Sequence, residues 1–266
     1  VGLPWRRSSV QSLICRVRTT HISGSRFPQP STRGDMREVV AKIDLSETSV
    51  RDLNTRLHGV TSQINDKVFS ILNPNGAHAV AAGLTEALHV GVEGHVGYFC
   101  AGMNQEAIIE IHGNAGTGVA ENIISGEVRV HGNASQSAGA SGQGGLVVID
   151  GDASARCGIS MKGVDIVVGG SVGHMSAFMA QAGHLVVCRD AGHDLGDSIY
   201  EAVLYVAGKV ESLGSDCVEK DMTSAHLETL TDLLQRAGMD ADATGFRRFG
   251  SARNLYNFKI DNAGQY

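Results

Sequence analysis

The sequence predicts an all-β fold, a right-handed parallel β-helix of about seven 19-residue coils with short helical caps. Two observations carry this prediction: a glycine-rich, aromatic-poor composition and a regular repeat over residues 88–220. Glycine contributes 34 of the 266 residues, against a usual share of about 7%, whereas aromatic residues make up only 5%. Such a chain favours many tight turns around a narrow core of aliphatic and small side chains.

The repeat is marked by a glycine column with a step of 19 residues. Aliphatic residues stand two and four positions before each marker, which places both on one face of a strand. A crossover helix does not fit, because a βαβ unit needs about 30 residues, so each copy must stack on the next. The seven markers are Gly94, Gly113, Gly132, Gly151, Gly170, Arg189 and Gly208. A column of small residues follows at Ala101, Ala120, Gly139, Gly158, Ala177, Gly196 and Ser215.

The segment before the repeat divides into two parts. Residues 1–35 hold six arginines and one acidic residue, and they are interpreted as an over-extended start or a disordered leader outside the fold. Residues 36–87 are predicted to form an N-terminal cap. Within this cap, Ser49 is positioned to begin a short helix, and residues 68–72 form a strand.

Residues 221–266 are predicted to form a C-terminal helix followed by a docking tail. The helix begins after Thr223 or Ser224, and either this helix or a partner is expected to cover the unpaired edge of the last coil. Beyond it, aromatic and arginine residues concentrate at 246–249 and 255–258. This tail either binds a partner or packs back on its own rod, and the sequence leaves both open.

Charge, hydropathy and cysteine content limit which binding partners and which cellular compartment the sequence predicts. The formal net charge of −6 offers no general electrostatic reason to bind nucleic acid, and no apolar run is long enough for a membrane span. No pair of cysteines shows C-x-x-C spacing, which argues against an iron–sulfur site and predicts unpaired thiols in the cytoplasm. The five cysteines are Cys15, Cys100, Cys157, Cys188 and Cys217, and four are expected to be small core residues.

Two motifs resemble functional sites but are explained by the repeat. The glycines at 113–118 suggest a dinucleotide loop, yet their spacing is wrong for G-x-G-x-x-G, so the run is interpreted as a coil turn. Three histidines, His95, His112 and His131, lie beside the marker glycines. Because no acidic partner recurs beside them at ligand spacing, they are interpreted as surface side chains rather than metal ligands.

Three acidic residues near one corner of the coils, Asp150, Asp152 and Asp165, are a candidate paired-carboxylate site. The alternative is that they are solvated polar residues at coil turns, which is the commoner use of aspartate there. Nothing resembles a Ser/His/Asp or Cys/His catalytic arrangement. The sequence therefore predicts no catalytic, cofactor-binding or metal-binding residue in this chain.

One motif supports a resemblance to a known family. The pattern Gly158-x-x-Met161-x-Gly163, followed by Val168-x-Gly170-x-x-Gly173 and Gly183, resembles the GXGXG signature of the C-terminal β-helix domain of glutamate synthase large subunits. Val164 departs from it, where the signature has a second glycine. Residues 40–266, notably 94–104, 173–180 and 246–266, resemble the free-standing version of that domain. This version is the GlxC-like middle subunit of N-methylglutamate synthase-type complexes.

The resemblance implies a scaffold role in an oxidoreductase complex of methylamine metabolism. Such a subunit holds together a glutamine-amidotransferase-like subunit and an FMN-binding glutamate synthase-like subunit. The complex converts methylamine and glutamate to N-methylglutamate and ammonia, with FMN and an iron–sulfur cluster in the partner. No catalytic residue carries over to this chain. The alternatives are a β-helix subunit of a formylmethanofuran dehydrogenase-like complex and a stand-alone carbohydrate-active β-helix enzyme.

Overall fold

The computed structural model describes residues 41–60 and 67–254, which form a right-handed parallel β-helix. Predictions for residues 1–35 and 255–258 lie outside these ranges. Nine strands stack in chain order with parallel pairing, and two antiparallel strands follow. The parallel strands are β1 (Ala41–Asp44), β2 (Val68–Leu72), β3 (His89–Glu93), β4 (Ile108–Ile111), β5 (Glu127–Val130), β6 (Leu146–Ile149), β7 (Lys162–Val168), β8 (Ala182–Val187) and β9 (Val203–Val206).

The register from β3 to β9 follows the 19-residue step that the sequence predicts. Val90 lies opposite Ile109, and Ile109 lies opposite Val128, so each aliphatic column stacks on itself and is buried. A second line of parallel bridges joins the coils two residues beyond the marker, from Val96 to Val210. Each coil therefore bonds to its neighbours on two sides, which confirms the predicted fold class.

The marker glycines are required by close approach between coils. A Cβ atom on Gly113 would stand 2.6 Å from both the carbonyl carbon and the oxygen of Gly94. Among the marker glycines, which all lie in the described ranges, Gly94 alone has a positive φ, at 137°. Crowding of backbone on backbone therefore excludes a side chain at Gly113.

The small-residue column lies in a left-handed backbone segment. Ala101 has φ 57° and Gly139 has φ 65°, and both face the core. A Cβ on Gly139 would lie 2.6 Å from Cδ1 of Ile166, which accounts for glycine there. Residues two positions before and after Ala101 are also left-handed but exposed: Phe99 and Met103. The sequence does not predict these conformations, because alanine, phenylalanine and methionine rarely adopt them.

The period changes in the last coil. Leu195 bridges Leu213, a step of 18 residues, whereas the preceding bridges step by 19. The prediction that the repeat is unbroken through Ser215 is therefore wrong by one residue. The loss of one residue coincides with the change from parallel coils to the antiparallel strands that end the sheet.

The C-terminal helix α2 (Ser224–Arg236) lies on the outer face of the rod. It begins after Thr223, whose hydroxyl accepts the backbone N–H of His226. Its leucines form a second core with outward-facing residues of β6 to β9. That core contains Val148, Val167, Val186, Tyr205, Leu230, Leu233 and Leu234. Of the two alternatives for covering the last strand edge, this helix is therefore ruled out, because its apolar stripe packs on the outer face of β6 to β9.

The edge of β9 is covered by β11 (Arg247–Ser251), which pairs with it antiparallel and also pairs with β10 (Cys217–Lys220). Phe246 and Phe249 are buried against the rod, so this part of the tail packs back on its own fold. An antiparallel strand covers the exposed edge, which would otherwise pair with another chain.

The N-terminal cap also matches its predicted elements. Helix α1 (Val50–His58) begins after Ser49, whose side chain accepts the Asp52 N–H, and it buries Leu53 and Leu57. Strand β1 was not predicted; it pairs with β2 and starts the sheet.

A short 3-10 turn (Ala243–Gly245) precedes β11. Within the described ranges, no helix has the length and apolarity needed to cross a membrane.

Candidate interaction surface and polar clusters

A ladder of polar side chains runs up the rod one residue after each marker. The Oδ1 of Asn114 accepts the backbone N–H of Asn133, 2.8 Å away, and Asn133 accepts that of Asp152 at the same distance. These bonds satisfy backbone groups at the tight turn between coils. The other bonds of the ladder run from Asn114 N–H to His95, from Ser171 N–H to Asp152, from Asp190 N–H to Ser171 and from Lys209 N–H to Asp190. This ladder was not predicted from the sequence, although the column holds an acceptor side chain in six copies.

The three candidate acids do not form a paired-carboxylate site. Asp165 lies opposite Leu146, four residues before Asp150 along the chain. At about 3.3 Å per residue, this separates the two aspartates by about 13 Å along the strand direction. Asp152 belongs to the ladder, and the Asp165 carboxylate lies 2.7 Å from Nδ1 of His184. Each aspartate therefore has its own polar partner.

Asp150 links the rod to the end of α2. Its carboxylate accepts hydrogen bonds from two nitrogens of Arg129 at 2.7 and 3.4 Å, while Arg129 Nη1 donates to the Ala237 carbonyl at 3.0 Å. Burial alone would raise the pKa of Asp150, but His131 and Arg129 outweigh it and hold the pKa below its usual value. Asp150 is therefore a charged anchor at neutral pH.

A second cluster joins Glu110, His112 and His131. One ligand-capable atom from each lies within 4.8 Å of the others. The two imidazole rings stack with centroids 4.7 Å apart and planes 6° apart. Nδ1 of His131 lies 2.9 Å from Asp150, and Nε2 of His112 lies 4.0 Å from Glu93. The expectation that these histidines lack acidic neighbours is therefore wrong, because the acids come from adjacent coils.

The glycine run at 113–118 is a coil turn, as predicted. The N–H of Ala115 donates to the coil above, at Asn133, and that of Gly116 donates to the coil below, at Val96. Gly118 likewise donates to Gln136. These N–H groups are engaged between coils and are not arranged around a phosphate.

The cysteines in the described ranges are core residues. Cys100, Cys157, Cys188 and Cys217 are all buried. Burial raises the pKa of the Cys100 and Cys157 thiols to about 12, so they stay protonated and unreactive. The prediction that these side chains act as small core residues is confirmed.

An exposed apolar patch interrupts the otherwise polar turns of one coil. Tyr98, Phe99 and Met103 are 52%, 49% and 53% exposed. Tyr98 stacks on His78 with ring centroids 4.5 Å apart, and Phe99 meets Tyr98 edge to face. Exposed aromatic groups held in fixed positions are typical of protein–protein contacts. These three residues are called the aromatic patch below.

The chain is similar to the protein named Protein GlxC from Rhizobium meliloti (strain 1021). The two are 56% identical over 225 residues, which span 84% of this chain and 99% of that relative. No protein-family model matches the chain. No solved structure matches it either.

Proposed function

The chain belongs to the GlxC family, and from this premise we propose that it is a non-catalytic scaffold subunit of a glutamate synthase-like complex. In this proposal the rod holds a glutamine-amidotransferase-like subunit and an FMN-binding subunit in register. The complex joins methylamine to glutamate, yielding N-methylglutamate and ammonia. FMN and an iron–sulfur cluster belong to the partner, and the assembly works in the cytoplasm, where thiols stay reduced.

The observation that carries the proposal is the combination of family membership with a rod whose polar residues are used between its own coils. In the described ranges, the acceptors of the ladder bond backbone N–H groups, and the candidate acids are held by basic side chains or ladder bonds. Coils stacked about 4.8 Å apart give a stiff spacer roughly 34 Å long. Such a rod is suited to fixing the distance between two catalytic subunits.

The aromatic patch supports binding to a partner subunit. Tyr98 and Phe99 are about half exposed, and their rings contact each other and His78, so they add little to the core. We therefore assign the aromatic patch to contact with a catalytic subunit of the complex.

Co-expression with the two proposed partners tests the scaffold function. We expect sedimentation to show one particle containing all three chains, and no stable pair of catalytic subunits when this chain is left out. The isolated chain is expected neither to bind FMN nor to hydrolyse glutamine. Flavin binding or glutamine turnover by the isolated chain would contradict the proposal, as would a molybdenum- or tungsten-binding subunit as its partner.

A further inference from the structure

We propose that Glu110, His112 and His131 form a binding site for a divalent transition metal of the zinc class. The three side chains project from the outer face of adjacent strands, and their ligand-capable atoms already lie within 4.8 Å of one another. Two imidazoles and one carboxylate are a common ligand set for Zn²⁺. The site is independent of the scaffold function proposed above.

The orientation of His131 leaves Nε2 available for metal binding. Nδ1 of His131 lies 2.9 Å from Oδ2 of Asp150. A carboxylate on one nitrogen fixes the tautomer and leaves Nε2 with its lone pair available, which is the usual arrangement around a histidine ligand. Arg129 holds Asp150 in place from the other side. Asp150 is therefore a positioning residue for the site.

The charge balance also favours a cation. Glu110 is only 8% exposed, and its carboxylate makes no hydrogen bond or ion pair with the described residues. A carboxylate without a protein partner can coordinate a cation without giving up an existing bond. Glu93 adds a second carboxylate 4.0 Å from Nε2 of His112. Because Arg129 is paired with Asp150, the cluster keeps an excess of negative charge from Glu93 and Glu110.

Metal binding requires the three ligand groups to move closer together. Zinc ligands lie about 2.0–2.2 Å from the metal, so the atoms of two ligands must be about 3.4 Å apart in a tetrahedral site. The ligand atoms, now up to 4.8 Å apart, must therefore close by as much as about 1.4 Å. His112 and His131 are partly exposed, with 31% and 34% of their side-chain surface accessible, so their stacked rings have room to rotate and direct one nitrogen each at a common ion. Solvent fills the remaining coordination position on the open side.

Titration of the full chain with Zn²⁺ after treatment with a chelator tests this site. We expect calorimetry to show one bound ion per chain and the melting temperature to rise with Zn²⁺ concentration. Glu110→Gln and His131→Ala are expected to weaken binding by at least about 100-fold. Asp150→Asn, which removes the carboxylate that orients His131 and pairs with Arg129, is expected to weaken it by about 10- to 100-fold with the rod still folded by circular dichroism.

The exposed His174, which lies outside the cluster, provides the matched control. His174→Ala is expected to bind Zn²⁺ as tightly as the unmodified chain. Glu110→Gln keeps the size of the side chain, so circular dichroism should show an intact rod in the variant. Absence of one-to-one binding by the unmodified chain would refute the site. The site would also be refuted if the folded Glu110→Gln and His131→Ala variants bound Zn²⁺ as tightly as the unmodified chain. Loss of binding in His174→Ala would refute it as well.

Discussion

Gly113→Ala is expected to lower the free energy of unfolding by about 1–3 kcal/mol, as overpacking does in close-packed interiors. The new Cβ would meet the carbonyl carbon and oxygen of Gly94 at 2.6 Å and the nitrogen of His95 at 2.8 Å. All three are backbone atoms, so no side-chain rotation relieves the contact. The adjoining coils must separate, which strains hydrogen bonds such as that from Gly132 N–H to the Gly113 carbonyl at 3.0 Å.

Gly245→Ala is the matched control for this substitution. A Cβ on Gly245 meets no atom within 4 Å, and this glycine has no positive φ. Its free energy of unfolding should stay within about 0.5 kcal/mol of the unmodified chain. Urea denaturation followed by circular dichroism measures both variants. If Gly113→Ala proves as stable as Gly245→Ala, close packing between coils is not what the marker glycines provide.

The double variant Tyr98→Ser/Phe99→Asn is expected to weaken association with the partner by at least about 100-fold. Buried aromatic anchors contribute about 2 kcal/mol or more each at protein interfaces, so loss of two is large. The fold should tolerate the change, because both side chains are about half exposed. Asparagine accepts the left-handed backbone at position 99 more readily than phenylalanine does.

Val218→Ser serves as the control for the aromatic patch. Val218 is also an exposed apolar residue, but it lies on β10 at the far end of the rod. Surface-immobilised partner subunit and soluble chain variants give the dissociation constants directly. Unchanged affinity in the double variant, with an unchanged melting temperature, would remove the aromatic patch from the interface.

The fold was predictable because a single period sets both register and burial. With a step of 19 residues, Val90 necessarily stacks on Ile109, and the aliphatic columns close the core without further information. The position of α2 was not predictable in the same way. Its leucine stripe specifies an apolar partner but not which one, and both the rod's end and its outer face offered such a surface.

The histidine cluster cannot be recognised from spacing along the chain, because its members come from adjacent coils. Glu93, His112, His131 and Asp150 occupy the same repeat position, one residue before successive markers. Stacking places Nε2 of His112 4.0 Å from Glu93 and the ring of His112 4.7 Å from that of His131. It also places Nδ1 of His131 2.9 Å from Asp150. Alignment of the copies by column would have found this line of ionisable side chains. Glu110 joins it from the strand position two residues before His112.

The left-handed segment could not be inferred from residue types. Ala101 adopts a left-handed backbone because the alternation of buried and exposed residues in the turn requires it. The intrinsic preference of alanine is for the right-handed region. Packing between coils therefore overrides the intrinsic preference of the backbone at these positions. The same alternation exposes Phe99 and Met103, so the aromatic patch depends on a conformation that only the stacked rod reveals.

Formation of N-methylglutamate from methylamine and glutamate, measured with the two partner subunits in the presence and absence of this chain, tests the scaffold function most directly. The account predicts turnover that depends on this chain, saturates at one chain per partner pair, and is not restored by Tyr98→Ser/Phe99→Asn at the same concentration. Equal turnover by the partners without this chain would contradict it, as would turnover by this chain alone.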